Sequence, residues 1–144
     1  IRWVVLIPEL EGATSDARAV LPDSVSRADA VFNVGRACLF LAALGGGRTD
    51  LLVYAMEDRL HQPYRRRLFP WMEAVTAAAV SAGALGCVLS GAGPSLIAAV
   101  REGADRVAAA MEAALSRAGI RGAARALDVD TTGTVGEPAP AKES

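Results

Sequence analysis

The sequence predicts an α+β fold, a two-layer sandwich in which helices pack on one face of a largely antiparallel sheet. An apolar, β-branched run at residues 3–7 ends at a proline, as a buried strand would. Two more apolar runs, at 85–89 and 95–100, flank a short glycine turn, and this short link predicts an antiparallel hairpin. A helical pattern at 104–117 and a last strand at 124–129 follow the hairpin.

The segment between the first strand and the hairpin is predicted to be mainly helical. Thr14 or Ser15 can cap a short helix over about 16–20. A longer helix follows at about 26–44 and ends at a run of three glycines. Apolar residues recur in it every three or four positions, which gives the helix one apolar face. This face comprises Ala30, Val31, Val34, Ala37, Cys38, Leu41 and Leu44.

Two further helices are predicted before the hairpin. One starts at Thr49 or Asp50 and is interrupted at Pro63, because proline lacks the N–H that a helix needs. Its inward residues are Leu51, Leu52, Ala55 and Met56. The other is an alanine-rich segment, 71–82, which has high helix propensity and is closed by a glycine.

Length and composition indicate one compact domain over residues 1–135. A chain of 144 residues buries about two-thirds of the surface that its unfolded form exposes, which is enough for an ordinary core. Its 15 Lys and Arg against 16 Asp and Glu give no general attraction to nucleic acid or anionic lipid. Residues 136–144 contain nothing that could build a core, so they are expected to be disordered.

Neither a membrane segment nor a metal site is expected. The uninterrupted apolar runs are shorter than the roughly 18 residues that span a bilayer. Cys38 and Cys87 lie in apolar surroundings without Cys-x-x-Cys spacing, so they are expected to be reduced core residues of a cytoplasmic protein.

The turn between the hairpin strands consists of small residues. Its members are Ser90, Gly91, Ala92, Gly93, Pro94 and Ser95. Glycines at alternate positions let a backbone pass close to a ligand or to another loop, and serine hydroxyls add hydrogen-bonding groups without bulk. An ordinary tight connection has the same pattern, and the residues alone do not separate the two interpretations.

Two groups of residues could bind a small anion. Arg65, Arg66 and Arg67 follow a proline in a segment that is not expected to continue a helix. One of them could bind a carboxylate or phosphate bidentately, or all three could form a solvated basic patch. Thr14 and Arg18 are four residues apart, so they lie on one side of a helical turn. They could contact one small ligand, or act as a helix cap and a surface arginine.

Three segments together resemble the C-terminal half of the homoserine kinases, which belong to the GHMP family of small-metabolite kinases. The most specific segment is DRLHQPYR at 58–65. It is joined by ADAVFNVGRA at 28–37 and by LSGAGPSLIA at 89–98, whose glycine turn many GHMP kinases share. The resemblance runs from about residue 14 to 133. It implies a ferredoxin-like fold and ATP-dependent phosphorylation of the homoserine hydroxyl, and segment 58–65 argues against the mevalonate-type and sugar kinases of the same family.

The resemblance also implies roles for single residues. Arg65 matches the position at which homoserine kinases hold the substrate carboxylate, and Thr14 and Arg18 match a threonine and an arginine at the substrate site. Two arginines from separate segments would orient the amino acid with its hydroxyl toward the phosphate donor. The turn 90–95 would lie at the active-site cleft.

The remaining polar residues near this segment are predicted to have structural roles. The sequence gives His61 no identifiable acidic partner, so it is expected to shape the Arg65 loop by hydrogen bonding. Asn33 is expected to make a structural hydrogen bond, and Asp58 and Arg59 to form a local ion network at a helix end.

No segment matches the family's nucleotide loop, a Pro-x-x-x-Gly-Leu-Gly-Ser-Ser-Ala-like stretch. The resemblance therefore implies that an N-terminal domain binds ATP and Mg²⁺, and that this chain alone is inactive. Its expected partners are homoserine and that N-terminal domain, with a homodimer through the first strand left open. A non-enzymatic module that binds an amino acid through Arg18 and Arg65 and regulates another protein also stays open.

Overall fold

The computed structural model describes residues 1–10 and 14–133. Its strands are β1 (Arg2–Pro8), β2 (Gly86–Leu89), β3 (Leu96–Val100) and β4 (Gly122–Leu127). Its helices are α1 (Thr14–Ala19), α2 (Arg27–Gly45), α3 (Leu52–Ala55), α4 (Gln62–Arg65), α5 (Met72–Ser81) and α6 (Ala104–Arg117). A 3₁₀ turn, Thr49–Leu51, leads into α3.

The strands form one antiparallel sheet in the order β2–β3–β1–β4. In the central strand β1, Val4 pairs with Ala98 on one side and with Ala126 on the other. The segment α1–α5 connects β1 to β2, and α6 connects β3 to β4, which is the connectivity of a ferredoxin-like fold. The predicted α+β fold and the predicted hairpin are confirmed.

The main core lies between one face of the sheet and helices α5 and α6. Alternate residues of a strand point to the same face, so β1 and β3 each contribute every second side chain. The fully buried strand residues on this face are Val4, Leu6, Leu96, Ala98 and Val100. They pack against Val75 and Ala79 of α5 and Val107, Met111 and Leu115 of α6.

Helices are not confined to that face of the sheet. A second, smaller core of Ala43, Leu52 and Ala99 joins α2 and α3 to the opposite face. Trp3 and Phe40 pack against its edge. The apolar runs of β1 and β3 supply apolar side chains to both faces, and this allows a partial third layer at one end of the sheet.

Helix α2 has the predicted length, but the side that was predicted to be buried faces solvent. Ala43 is its buried residue, and the apolar face that the spacing picks out points to solvent, with Val31, Val34 and Leu41 between 65% and 71% exposed. Cys38 is exposed with them, so its prediction as a core residue is wrong, whereas Cys87 is buried as predicted. Because α2 is apolar on more than one side, spacing alone does not say which side meets the sheet.

By length and composition alone, α2 is long and apolar enough to cross a membrane. The sequence prediction considered only uninterrupted apolar runs, and it misses this helix because Asn33 and Arg36 interrupt the apolar residues of α2. In the structure these two side chains contact Asp58 and Glu57, which follow α3, so polar bonds hold α2 to the rest of the domain.

Several element boundaries differ from the predictions. The helix predicted from 49 or 50 up to Pro63 is only the 3₁₀ turn and α3, which ends at Ala55. Arg65 ends a helical turn, α4, although Pro63 was expected to interrupt regular structure; Pro63 stands at the start of this turn, where its missing N–H costs nothing. Strand β4 begins two residues before the predicted 124. The predicted disordered segment, 136–144, lies outside the described residues.

Candidate functional site

The loop between α3 and α4 is organised by Asp58. Its carboxylate accepts hydrogen bonds from the main-chain N–H groups of Leu60, His61 and Gln62, at the start of α4. It also accepts one from the Asn33 side chain at 2.7 Å. Burial by itself raises the pKa of Asp58, but these hydrogen bonds outweigh it and hold the pKa below its ordinary value. Asp58 is thus an ionised side chain that fixes the loop leading into α4.

A second set of contacts ties the same loop to α2. Asn33 accepts a hydrogen bond from the main-chain N–H of Arg59 at 2.9 Å, which confirms its predicted structural role. The Arg59 guanidinium lies 3.8 Å from the centre of the Phe32 ring and 3.6 Å from Asp29. Among the described residues Arg59 thus pairs with Asp29 and not with Asp58, so the expected ion network between Asp58 and Arg59 is not formed. The cation–π and ionic contacts of Arg59 fix the loop from a second side.

The Arg65 side chain lies at the end of α4 and is 9% exposed. Its Nε donates to the carbonyl of Ala17 in α1 at 3.2 Å, and its Nη1 donates to the carbonyl of Gly91 at 2.9 Å. One guanidinium therefore links α4, α1 and the glycine turn. The neighbouring arginines differ, because Arg66 forms an exposed ion pair with Glu73 and Arg67 is exposed.

No carboxylate of the described residues lies within ion-pair distance of Arg65. Buried charges in proteins are usually paired, because an unpaired charge loses its hydration without compensation. The two carbonyl contacts use only part of the five-donor guanidinium. Arg65 thus offers a buried positive charge with free donors, which is what a small anion needs.

Arg65 also lines a cavity of about 630 Å³ on the face of the sheet away from α5 and α6. The apolar side of the cavity includes Trp3, Phe40 and Ile97. The polar side includes Gln62, His61 and Asp58 around Arg65, and the main chain at Gly91. A volume of this size is ample for an amino acid.

The two glycines of the glycine turn have different surroundings, because one packs against another side chain of this chain and the other faces the candidate site. Gly93 has φ +83°, and a Cβ there would lie 2.6 Å from the Phe69 ring. Gly91 has φ +59° with no atom near a Cβ position, and its carbonyl contacts Arg65. The close approach at Gly93 is therefore to the protein's own Phe69, whereas Gly91 faces the candidate site.

Thr14 and Arg18 lie on α1, next to Arg65. Ala17, whose carbonyl accepts from Arg65, is the residue before Arg18. Both Thr14 and Arg18 are exposed, and neither lines the cavity. The structure thus places α1 at the site, and a ligand role for these two side chains stays a prediction.

His61 contributes to the loop mainly through its backbone. Its main-chain N–H donates to Asp58 at 2.9 Å, while its ring is half-exposed and lies 3.5 Å from the same carboxylate. A role in shaping the Arg65 loop stays a prediction for the ring. Sequence reasoning missed Gln62, whose side-chain oxygen accepts from the main-chain N–H of Leu89 at 3.2 Å and fastens α4 to the strand before the turn.

The family profile described as "GHMP kinases C terminal" matches residues 40–117, which is more than half of the chain. The chain belongs to the GHMP kinase family. The matched stretch contains the Asp58 loop, Arg65 and the glycine turn.

Individual relatives agree with this assignment. A homoserine kinase of Persephonella marina is 47% identical over 133 residues, and one of Trichormus variabilis is 50% identical over 131 residues. These matches cover 92% and 90% of this chain but only 44% and 43% of the two relatives. The chain thus spans less than half the length of the curated relatives it matches.

A solved structure supports the same conclusion. The crystal structure of homoserine kinase from Cytophaga hutchinsonii superposes with a TM-score of 0.84 at 32% identity, covering 89% of this chain and 41% of that one. The fold described above is therefore that of the C-terminal domain of a homoserine kinase.

Proposed function

We propose that this chain forms the amino-acid-binding half of a homoserine kinase, an enzyme of threonine biosynthesis in the cytoplasm. The observation that carries the proposal is Arg65, a buried guanidinium without a carboxylate partner among the described residues, at the wall of a 630 Å³ cavity. The similarity to homoserine kinases supports the choice of substrate.

The α-carboxylate of L-homoserine would pair with the free donors of Arg65. A charge-assisted pair of this kind is stronger than a hydrogen bond between neutral groups. Because the Ala17 and Gly91 carbonyls hold the guanidinium, its donors are already oriented before the substrate arrives. Thr14 and Arg18 on the adjacent α1 would complete the contacts to the amino acid.

Fixing the carboxylate at Arg65 leaves the hydroxyl free to point out of the cavity toward ATP. In the reaction, the hydroxyl oxygen bonds to the γ-phosphorus and the bond from phosphorus to the β–γ bridging oxygen breaks. ADP leaves with that electron pair, and the hydroxyl proton passes to water. The role of this chain is to position the acceptor, which is a large part of phosphoryl-transfer catalysis.

Residues 1–10 and 14–133 contain no group of three or more His, Cys, Asp and Glu side chains that could hold a metal. On the resemblance to homoserine kinases, whose nucleotide loop has no match in this sequence, we assign ATP and Mg²⁺ mainly to the N-terminal domain in the rest of the relatives' length. This chain alone should be inactive as a kinase.

A chimera tests the proposal. In the Trichormus variabilis homoserine kinase, this chain replaces the matched segment, and ATP-dependent phosphorylation of L-homoserine is measured. We expect turnover by the chimera, loss of turnover on Arg65→Ala, and none from this chain alone. Arg67→Ala is the matched control, because Arg67 is an exposed neighbour, and it should keep full turnover.

The chimera also separates the kinase from a regulatory module. If the chimera binds L-homoserine but does not phosphorylate it, the kinase proposal fails and amino-acid-binding regulation becomes the better account.

A further inference from the structure

The exposed face of α2 is an apolar surface that the candidate site does not use. Val31, Val34 and Leu41 are 67%, 65% and 71% exposed, and Cys38 is exposed between them. Leu44 extends the row at 38% exposure. We call these five residues the α2 seam.

The spacing of the α2 seam is that of a helix–helix contact. Its first four residues follow one another at intervals of three, four and three, as the apolar positions of packed helices do. Small residues lie beside them, Ala30 and Ala37 among others, and these let a second backbone come close. Leaving such a row in water is unfavourable, so the pattern indicates a partner.

The helix that carries the seam borders the candidate site. Phe40, on the same helix, lines the cavity that contains Arg65, although the seam residues do not. Asn33 and Arg36, on the inner side of α2, bind Asp58 and Glu57 in the loop that leads to Arg65. A partner that covers the seam would therefore contact the outer side of a helix that borders the substrate cavity.

The relatives identify the partner. They are more than twice as long as the segment this chain matches, and the matched profile describes only their C-terminal part. A complete homoserine kinase thus carries a further domain on the same polypeptide. That domain must approach the substrate cavity to deliver ATP, and the α2 seam is an apolar surface on a helix that borders this cavity.

We propose that the α2 seam is the docking surface for an apolar helix of the N-terminal, nucleotide-binding domain. The inference rests on the proposed function, because that function supplies the second domain. It goes further by assigning the contact to one face of one helix.

Co-expression tests the assignment without any catalytic readout. This chain is produced together with the remaining part of the Trichormus variabilis homoserine kinase, and native mass and sedimentation velocity report the complex. We expect a 1:1 complex. Val34→Asp and Leu41→Asp should each weaken it at least about tenfold, because each places a charge on a surface that becomes buried. Val129→Asp is the matched control, since Val129 is 62% exposed but lies outside α2.

The outcomes are distinct. The absence of a complex, or a complex that Val34→Asp and Leu41→Asp leave unchanged, overturns the assignment. Homodimers of this chain that only the seam variants dissociate also overturn it and assign the seam to a second copy. Since Val34 and Leu41 are exposed, both variants should keep the far-ultraviolet circular dichroism of the parent chain. A seam-dependent complex that does not phosphorylate homoserine leaves the docking surface standing and refutes the proposed function.

Discussion

Replacing Asp58 by alanine should destabilise this domain more than replacing any exposed aspartate. The Asp58 side chain is 13% exposed and accepts hydrogen bonds from Asn33 and from the main-chain N–H groups of Leu60, His61 and Gln62, which lead into α4. Asp58→Ala removes all four and leaves the Asn33 amide without this acceptor.

The magnitude follows from two contributions. Loss of the side chain that accepts from the N–H groups leading into α4 is comparable to loss of a helix cap, which costs about 0.5–2 kcal/mol. A part-buried donor left unsatisfied, here the Asn33 amide, costs about 1–3 kcal/mol. We therefore expect Asp58→Ala to lower the free energy of unfolding by about 1.5–5 kcal/mol, with Asp58→Asn intermediate because its side chain still accepts a hydrogen bond.

Urea unfolding followed by circular dichroism measures this difference. Asp50→Ala is the control, since Asp50 is exposed and among the described residues forms an ion pair only with Arg48, and the stability of this variant should change little. If Asp58→Ala is no less stable than Asp50→Ala, the role assigned to Asp58 in holding this loop is wrong.

The effect should also depend on pH. Folding lowers the pKa of Asp58, so the stability it contributes is complete above the unfolded value near about 3.9 and is lost as the pH falls through the lower folded value. The difference between the parent chain and Asp58→Ala should accordingly shrink below about pH 4. A difference that stays constant down to pH 2 would show that the carboxylate charge is not involved.

Two further predictions concern the turn and the cysteines. Gly93→Val should destabilise the fold strongly, because Gly93 has φ +83° and its Cβ would meet Phe69. Gly91→Ala adds only the cost of a left-handed backbone, about 1–2 kcal/mol. Thermal unfolding of both variants checks this, and equal losses of stability would contradict it. Iodoacetamide at pH 8 should alkylate the exposed Cys38 but not Cys87, because burial raises the pKa of Cys87 to about 11. Peptide mass spectrometry measures the modification, and alkylation of Cys87 in the native protein would contradict its burial.

The sheet, α5 and α6 are predictable from the sequence because their apolar spacing has one interpretation. Strands with apolar runs on either side of a short glycine turn form a hairpin, and α6 is apolar on one face alone. The orientation of α2 is not predictable in the same way. Its apolar residues surround much of the helix, and the side facing the domain is chosen by Asn33 and Arg36, whose partners lie more than 20 residues away.

The candidate site is likewise predictable from the sequence only in part. The residues alone do not show which of Arg65, Arg66 and Arg67 points inward, and the resemblance to homoserine kinases selects Arg65. Only the structure shows what holds it, because the carbonyls of Ala17 and Gly91 belong to segments distant in sequence. Every residue has a main-chain carbonyl, so the amino-acid sequence does not show which carbonyls accept hydrogen bonds from a distant side chain.

Titration calorimetry of L-homoserine against the chimera with the Trichormus variabilis enzyme tests the central claim, that Arg65 holds the substrate carboxylate. Arg65→Ala should weaken binding by about 10- to 150-fold, the equivalent of a charge-assisted hydrogen bond of about 1.5–3 kcal/mol. The analogue without the carboxylate, 3-aminopropan-1-ol, should bind the parent and the Arg65→Ala chimera equally weakly. If Arg65→Ala binds L-homoserine as tightly as the parent, or if the analogue binds as tightly as L-homoserine, Arg65 does not bind the carboxylate and the proposed site is wrong.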